Sequence, residues 1–187
     1  MENKNNNRET SIKSEIFSTL LFCLCVVVLS FLFVTFIGQR TTVSGESMEN
    51  TLQDRDNLMI DKISYRLKDP ERFDIIIFPP RIEKDTLYIK RVIGLPGETV
   101  RIDEYGRIYI DGEILDEDYG KEIIENPGRA IQPITLGDDE YFVLGDNRNN
   151  SSDSRLEQVG NVHRKEIVGK AFIRIYPFNN MGLIKHA

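Results

Sequence analysis

The chain has 187 residues, of which 40% are hydrophobic and 29% are charged, and its formal net charge is −6. The length suits one domain of ordinary size with a short additional segment, and the composition is typical of globular rather than disordered proteins. The acidic balance argues against a nucleic acid as the main partner, because binding to phosphates needs a basic surface.

The first predicted element is an uncharged, apolar stretch over residues 16–37, IFSTLLFCLCVVVLSFLFVTFI. As a helix this stretch would be about 33 Å long, enough to cross a bilayer core of about 30 Å. It is longer than the apolar region of a cleaved secretory signal and contains no alanine, so we interpret it as an uncleaved membrane anchor. Both cysteines, Cys23 and Cys25, lie within it, which leaves the rest of the chain without a disulfide or a thiolate metal site.

The charges that flank the anchor indicate its orientation. We predict an N-terminal tail over residues 1–15, a transmembrane helix over residues 16–38 and a folded domain over residues 39–187. Basic residues are more frequent before the anchor than after it, which favours an N-terminus in the cytoplasm and a domain on the extracytoplasmic face. These residues are Lys4, Arg8 and Lys13 before the anchor, and Arg40 and Arg55 after it.

The folded domain is predicted to be mostly β, because short runs of β-branched and apolar residues alternate with turn signals, as in a barrel or sandwich. Residues 116–136 are acidic and contain Pro127, Gly128 and Pro133, so we expect a surface loop there. The predicted strands are residues 57–61, 74–78, 86–93, 100–102, 107–110, 113–115, 140–144 and 170–176.

Histidine and cysteine, which often carry catalysis or bind metals, are scarce in this domain. Its only histidines are His163 and His186, and it contains no cysteine, so a zinc site is not expected. A Ser–His–Asp triad would need His163, which lies near no recognisable nucleophile motif.

Two segments are harder to explain by structure alone. In residues 43–52, VSGESMENTL, Ser47 follows Gly45 at the start of a possible helical turn, where a serine can simply be a helix cap. In residues 87–98, LYIKRVIGLPGE, a strand would direct Lys90 and Arg91 to opposite faces. If the strand packs on both sides, one of these charges lies among bulky apolar neighbours unless its side chain extends to water.

A lysine in apolar surroundings has a chemical use. The pKa of a free lysine is about 10.4, so only about one amine in 2,500 is neutral at pH 7. Desolvation can lower that pKa by up to about 3–5 units, and at a pKa of about 8 roughly a tenth of the amines would be neutral. A neutral amine can accept the proton of a serine hydroxyl and act as a general base without any histidine.

The same two segments resemble motifs of a known family. VSGESMENTL resembles the nucleophile box of the bacterial type I signal peptidases, and YIKRVIGLPGE, residues 88–98, resembles their lysine box nearly residue for residue. GDNRNNSSDSR, residues 145–155, and RFDIIIF, residues 72–78, resemble two further boxes. Because the four boxes follow the family's order behind a single apolar stretch, the chain is identified as a member of this family in its short, single-span form.

The resemblance implies a role for each residue that matches a box. Ser47 would be the nucleophile and Lys90 the general base. Ser151 would orient the lysine amine through a hydrogen bond, and Asp153 and Arg155 would form the pair that braces their loop.

The resemblance is less informative about the oxyanion region. Met48 would line the pocket beside the nucleophile, and the backbone N–H of Ser47 would donate to the oxyanion. The sequence gives no clear second donor, since Ser44 lies three residues upstream and Gly45 has no side chain. Loss of one such donor typically costs about 2.7–4 kcal/mol of transition-state stabilisation.

Two residues depart from the family pattern. Asn50 stands where proline is usual, and we expect a small effect on geometry because asparagine can still occupy a turn. Phe73 stands where the fourth box usually has glycine, far from the expected chemistry.

The resemblance also implies a fold, an activity and a location. The fold would be an all-β, barrel-like domain of coiled antiparallel sheets behind one transmembrane helix. The activity would be removal of signal peptides from exported pre-proteins by a serine–lysine dyad, without a metal or a cofactor. The partners would be the signal peptides of secreted pre-proteins and the lipid bilayer, and the protein would lie in the cytoplasmic membrane.

Three alternatives remain open at this point. An inactive relative could serve as a membrane-anchored assembly factor, although the presence of both Ser47 and Lys90 argues against it. A related self-cleaving repressor would carry a DNA-binding head where this chain has its apolar stretch. A generic anchored β-domain without chemistry would leave the four boxes unexplained.

Overall fold

A computed structural model describes residues 15–31, 38–81 and 86–185 of the chain. It divides into two compact units, Met1–Gly38 and Gln39–Ala187. Most of the predicted tail and residues 32–37 of the predicted anchor lie outside the described residues.

The first unit contains one helix, α1, over residues 15–31. Every side chain of α1 is exposed within the structure, and most of its residues are large and apolar. In the described part of the chain, no helix combines the length and the apolar character needed to span a bilayer.

Most of the regular secondary structure in the described part of the second unit consists of short antiparallel strands, which confirms the predicted all-β class. A single short helix, α2 (Ser64–Leu67), lies in its described part. The strands are β1 (Gly38–Thr42), β2 (Asn57–Asp61), β3 (Ile75–Phe78), β4 (Tyr88–Gly94), β5 (Thr99–Ile102), β6 (Ile108–Ile110), β7 (Glu113–Ile114), β8 (Ile134–Thr135), β9 (Glu140–Leu144), β10 (Val162–His163), β11 (Gly169–Tyr176) and β12 (Gly182–Leu183).

The strands form two sheets. The larger has the order β1-β2-β11-β3-β4-β9-β10, with β12 paired to β11, and the smaller has the order β7-β6-β5-β8. Every pairing whose register is described is antiparallel, including β4 with its two neighbours β3 and β9. β4, the strand that carries Lys90, is therefore an inner strand of the larger sheet.

The inner strands are buried on both faces, which explains their nearly continuous apolar sequence. All four residues of β3 are buried, as are the last six of the seven residues of β4. One core cluster joins this sheet to the segment around Ser47, because Met48 and Leu52 pack there with Ile75, Ile77 and Ile89.

The segment over residues 116–136 differs from the plain surface loop that its composition predicts. Ile124 and Ala130 are buried, and the segment contains a short 3₁₀ helix, Gly128–Ile131, and strand β8. Its backbone also bonds to the loop that follows β9, as in the hydrogen bond from Lys121 N to Asp146 O. The segment is therefore a surface loop over most of its length, as predicted, but a few apolar residues interspersed among the charges anchor it.

The two departures from the family pattern both adopt positive φ angles. Asn50 has φ of 97°, which the ring of a proline cannot adopt because it holds φ near −65°. Asn50 therefore occupies a turn, as expected, with a local backbone angle that a proline would not adopt. Phe73 has φ of 69°, a conformation that glycine adopts freely and a bulky residue seldom does.

Candidate active site

Ser47 lies at the start of a short turn between β1 and β2. Gly45 allows the chain to enter this turn, because its φ of 91° lies in the region that favours glycine. The turn is closed by a hydrogen bond of 2.8 Å from Leu52 N to Met48 O, and both of these side chains are fully buried. We call residues 45–51 the Ser47 turn; its apolar anchors fix the backbone while Ser47 itself remains partly accessible.

Lys90 lies on β4 directly opposite this turn. Its Nζ donates hydrogen bonds to Ser47 Oγ at 2.7 Å and to Ile89 O at 3.0 Å, and the residue is only 3% exposed. Burial lowers the pKa of the Lys90 amine to about 8, although the nearby carboxylates of Asp153 and Asp146 act to raise it. The amine is thus poised to exchange a proton with the serine hydroxyl near neutral pH.

Arg91, the neighbour of Lys90 on β4, is also buried. Its Nε and Nη2 donate to the Asp146 carboxylate at 2.8 and 2.7 Å, and neither side chain is exposed. Thr51 Oγ1 donates to the same carboxylate at 2.5 Å, which ties the Ser47 turn to the pair. Strand alternation predicts one buried charge on β4, whereas the structure buries both because Asp146 supplies a counter-charge on the second face.

The loop that follows β9, residues 145–155, closes the site from the other side. We call it the β9 loop. Asn147 donates from its backbone N to Ser47 O and from Nδ2 to Glu46 O, each at 3.1 Å. Gly145 lies so close that a Cβ there would collide with Ser47 O and Ser151 Oγ. The sequence interpretation missed both residues, although a glycine at the junction of a strand and a loop is a signal of close backbone approach.

Asp153 and Arg155 meet as an ion pair inside this loop. Arg155 Nε and Nη2 donate to the two oxygens of Asp153, each at 2.9 Å, and both residues are buried. Gly145 N donates to Asp153 Oδ2 at 3.1 Å, so the pair holds the first residue of the loop as well as its end.

Ser151 lies in the same pocket but does not make the hydrogen bond that the resemblance implies. Its Oγ is buried and has no hydrogen-bond partner among the described residues. The Lys90 amine is instead held by the Ile89 carbonyl and by Ser47. A buried hydroxyl without a partner is costly, so Ser151 Oγ is a group that substrate or a small rearrangement could satisfy.

A cleft of about 460 Å³ opens over Ser47 and Lys90. Residues 42–48, 86–90 and 149–152 line it, so the predicted oxyanion-region residues Ser44, Gly45 and Met48 all contribute to its wall. Ser47 N donates no hydrogen bond to the described residues, and it therefore remains able to donate to a ligand in the cleft. Gly45 N is not a second donor, since it donates to Asp54 Oδ1 at 2.9 Å.

Known proteins resemble this chain over most of its length. The model of the family described as signal peptidase, peptidase S26, matches residues 16–176. The chain belongs to this family. A probable signal peptidase I-2 of Synechocystis is 44% identical over 158 residues, which cover 80% of this chain and 68% of that protein.

Relatives from other bacteria match over most of their length. The signal peptidase I of Leptolyngbya laminosa is 42% identical over 83% of this chain and 77% of its own, and that of Bacillus amyloliquefaciens is 34% identical over 95% and 97%. A solved signal peptidase I from Enterococcus faecalis is 37% identical and covers 55% of this chain and 97% of that one, with a TM-score of 0.45. The chain is thus a signal peptidase I, a serine protease whose substrates carry signal peptides.

Proposed function

We propose that the chain removes signal peptides from exported pre-proteins with a catalytic dyad of Ser47 and Lys90. The observation that carries the proposal is the 2.7 Å contact between Lys90 Nζ and Ser47 Oγ, made by a buried amine. A hydroxyl and a neutral amine at this distance can exchange a proton without further movement.

The proposed reaction uses the same amine in each proton transfer. Lys90 Nζ accepts the Ser47 proton while Oγ attacks the carbonyl carbon of the scissile bond. The resulting oxyanion accepts a hydrogen bond from the backbone N–H of Ser47. The ammonium of Lys90 then protonates the leaving amine as the C–N bond breaks, which leaves an acyl group on Ser47. Lys90 finally removes a proton from the water that attacks the ester, and it returns this proton to Ser47 Oγ as the ester C–O bond breaks. This step releases the carboxylic acid product and restores the hydroxyl and the neutral amine.

The remaining predicted residues have supporting roles in this proposal. Asp153 and Arg155 keep the β9 loop closed, and Met48 anchors the Ser47 turn beneath the cleft. Ser151 offers its buried hydroxyl to the Lys90 amine or to bound substrate rather than holding the amine beforehand.

We also propose that the protein is held in the cytoplasmic membrane by residues 16–38, with the N-terminus in the cytoplasm and the catalytic unit outside. The support is the run of 22 residues without a charge and the basic residues before it. This places the protease on the side where exported pre-proteins emerge. An inactive assembly factor is not favoured, because the dyad residues are both present and in contact.

Cleavage of a pre-protein by the detergent-solubilised chain tests the dyad. We expect Ser47→Ala and Lys90→Ala each to abolish cleavage, whereas Lys165→Ala, which removes an exposed lysine, should leave it unchanged. The rate should fall about tenfold for each pH unit below about 8, because the protonated amine cannot act as a base. Wild-type turnover in either dyad variant, or a rate that stays constant from about pH 6 to 10, would rule the mechanism out.

A further inference from the structure

Residues 117–126, between β7 and β8, contact both segments that form the active site. We call these residues the strap. Its Lys121 Nζ contacts Glu49 Oε2 of the Ser47 turn at 2.7 Å, and its Lys121 N donates to Asp146 O of the β9 loop at 2.8 Å. The strap therefore joins the two segments, and none of its residues lines the substrate cleft in the described part of the chain.

A buried ion pair makes the strongest of these connections. Arg148 of the β9 loop donates through Nη1 and Nη2 to the two oxygens of Glu117, at 2.7 and 2.9 Å. The side chains are 3% and 9% exposed, so the pair is shielded from solvent. A bidentate arginine–carboxylate pair fixes both distance and orientation, which a single lysine contact would not.

Three more strap residues, Tyr119, Ile123 and Glu125, extend the contact to Arg91 and along the β9 loop. Asn149 Nδ2 donates to Ile123 O at 3.0 Å, and Glu125 N donates back to Asn149 Oδ1 at 3.0 Å. The Tyr119 ring lies 3.8 Å from the Arg91 guanidinium carbon and covers the buried pair of Arg91 with Asp146.

We propose that the strap is a positioning element for the Ser47–Lys90 site, and that Glu117 is its principal residue. The ion pair of Glu117 with Arg148 holds the β9 loop in contact with the Ser47 turn, and the closed loop keeps water away from the Lys90 amine. Glu117 is a positioning residue and not a catalytic one, because it touches neither Ser47 nor Lys90. The inference rests on the proposed dyad and adds to it the part of the chain that maintains it.

The expected effect on pH dependence follows from which groups surround the amine. The Lys90 amine lies 5.0 Å from the Tyr88 ring on its own strand, and the charges of Asp153 and Asp146 in the β9 loop act on it. Glu46 is a further charged residue in the lining of the same cleft. Glu117 is not among them, so a change at Glu117 reaches Lys90 only through the loop. A loosened loop admits water, which weakens the dominant desolvation effect and raises the amine's pKa towards its ordinary value.

The test compares Glu117→Gln with Glu125→Gln in the full, detergent-solubilised chain. Both variants remove one negative charge from the strap, but the Glu125 side chain is exposed and bonds to none of the described residues. In Glu117→Gln we expect the acid limb of the pH profile of kcat/KM to move to higher pH. A displacement of one pH unit lowers kcat/KM at pH 7 by about tenfold, and kcat/KM should return to the wild-type value at high pH. KM should change little, and Glu125→Gln should behave as the wild type.

A second variant guards against simple unfolding. Glu117→Leu combined with Arg148→Met removes both charges and leaves neither one buried alone, and it should show the same displaced limb. A limb at the wild-type pH in folded Glu117 variants, with activity lowered equally at every pH, would mean that the strap only stabilises the fold and would overturn the inference. Activity in Ser47→Ala or Lys90→Ala would instead overturn the dyad itself, so the two failures are distinguishable.

Discussion

At the scale of single residues, the buried Lys90 amine is the feature on which the proposed chemistry depends. A charged amine in this position would destabilise the fold, and the protein responds by lowering its pKa to about 8. The unfolded chain, whose lysine has a pKa of about 10.4, therefore binds more protons than the folded chain between these two values. Stability consequently rises with pH across this window, and the full penalty is present below pH 8.

We therefore expect Lys90→Met to stabilise the protein at pH 7 while abolishing its activity. Each pKa unit is worth about 1.4 kcal/mol, so the lowered pKa corresponds to about 3 kcal/mol, part of which the lost hydrogen bonds offset. Urea unfolding followed by tyrosine fluorescence should show a gain of about 2 kcal/mol at pH 7 that shrinks as the pH approaches about 10.5. Lys165→Met is the matched control at an exposed lysine, and a gain at Lys90 that stayed constant up to pH 11 would contradict the argument.

Residue-level inference from the sequence singled out side chains that packing explains poorly, and it missed residues that act through a backbone contact. Lys90 and Ser47 stood out because a lysine on a buried strand and a serine after a glycine are both poorly explained by packing. Asn147 and Gly145 did not stand out, since what they do is approach the Ser47 carbonyl, and that contact exists only in three dimensions.

At the scale of elements, the site depends on β4 and β9 lying side by side. Arg91 pairs with Leu144 in the register of these strands, so Asp146, two residues beyond β9, falls beneath the Arg91 guanidinium. The ion pair of Arg91 with Asp146 thus joins β4 to the first residues of the β9 loop. Its removal should release the loop rather than a distant part of the fold.

Asp146→Asn tests this connection. The amide keeps the shape of the carboxylate but removes the charge that balances Arg91, and breaking a fully buried pair from one side costs about 3–5 kcal/mol. We expect a loss of stability in this range, measured by urea unfolding, and a larger loss of cleavage than of substrate binding. Asp138→Asn, an exposed residue just before β9, is the matched control. A change below about 1 kcal/mol at Asp146 would show that other contacts carry the connection.

Predictability differed among the elements for physical reasons. The sequence interpretation placed β2 and β9 with the same bounds as the structure, because each is a compact run of apolar residues between polar ones. The two-residue strands β8, β10 and β12 were missed, since so short a pairing is created by its neighbours and leaves no period in the sequence. The surface position of the strap was predicted but its ion pair was not, because its charges suggested solvent, whereas the Glu117 side chain pairs with an arginine 31 residues away.

At the scale of the whole molecule, the catalytic unit carries its own core and the proposed anchor carries none of it. All three hydrophobic clusters of the described residues lie between Val43 and Ile184, within the unit Gln39–Ala187. The apolar side chains of α1 find no such burial in the structure. In the proposed arrangement, lipid surrounds the apolar side chains of α1 and water surrounds the unit Gln39–Ala187.

This separation leads to a prediction about membrane association. The full chain should float with lipid vesicles in a density gradient, because about 20 uncharged apolar residues suffice to cross a bilayer. A chain beginning at Gly38, which retains β1, should remain in the aqueous fraction and still cleave a short peptide in detergent at a comparable kcat/KM. Leu24→Lys combined with Val27→Lys supplies the matched control, since a lysine at the centre of a span costs about 2.5–3.5 kcal/mol and leaves the catalytic unit unchanged. A full chain that stayed in the aqueous fraction, or that still floated with the two lysines, would show that residues 16–38 are not an anchor. A shortened chain that floated would instead place the lipid contact in the catalytic unit.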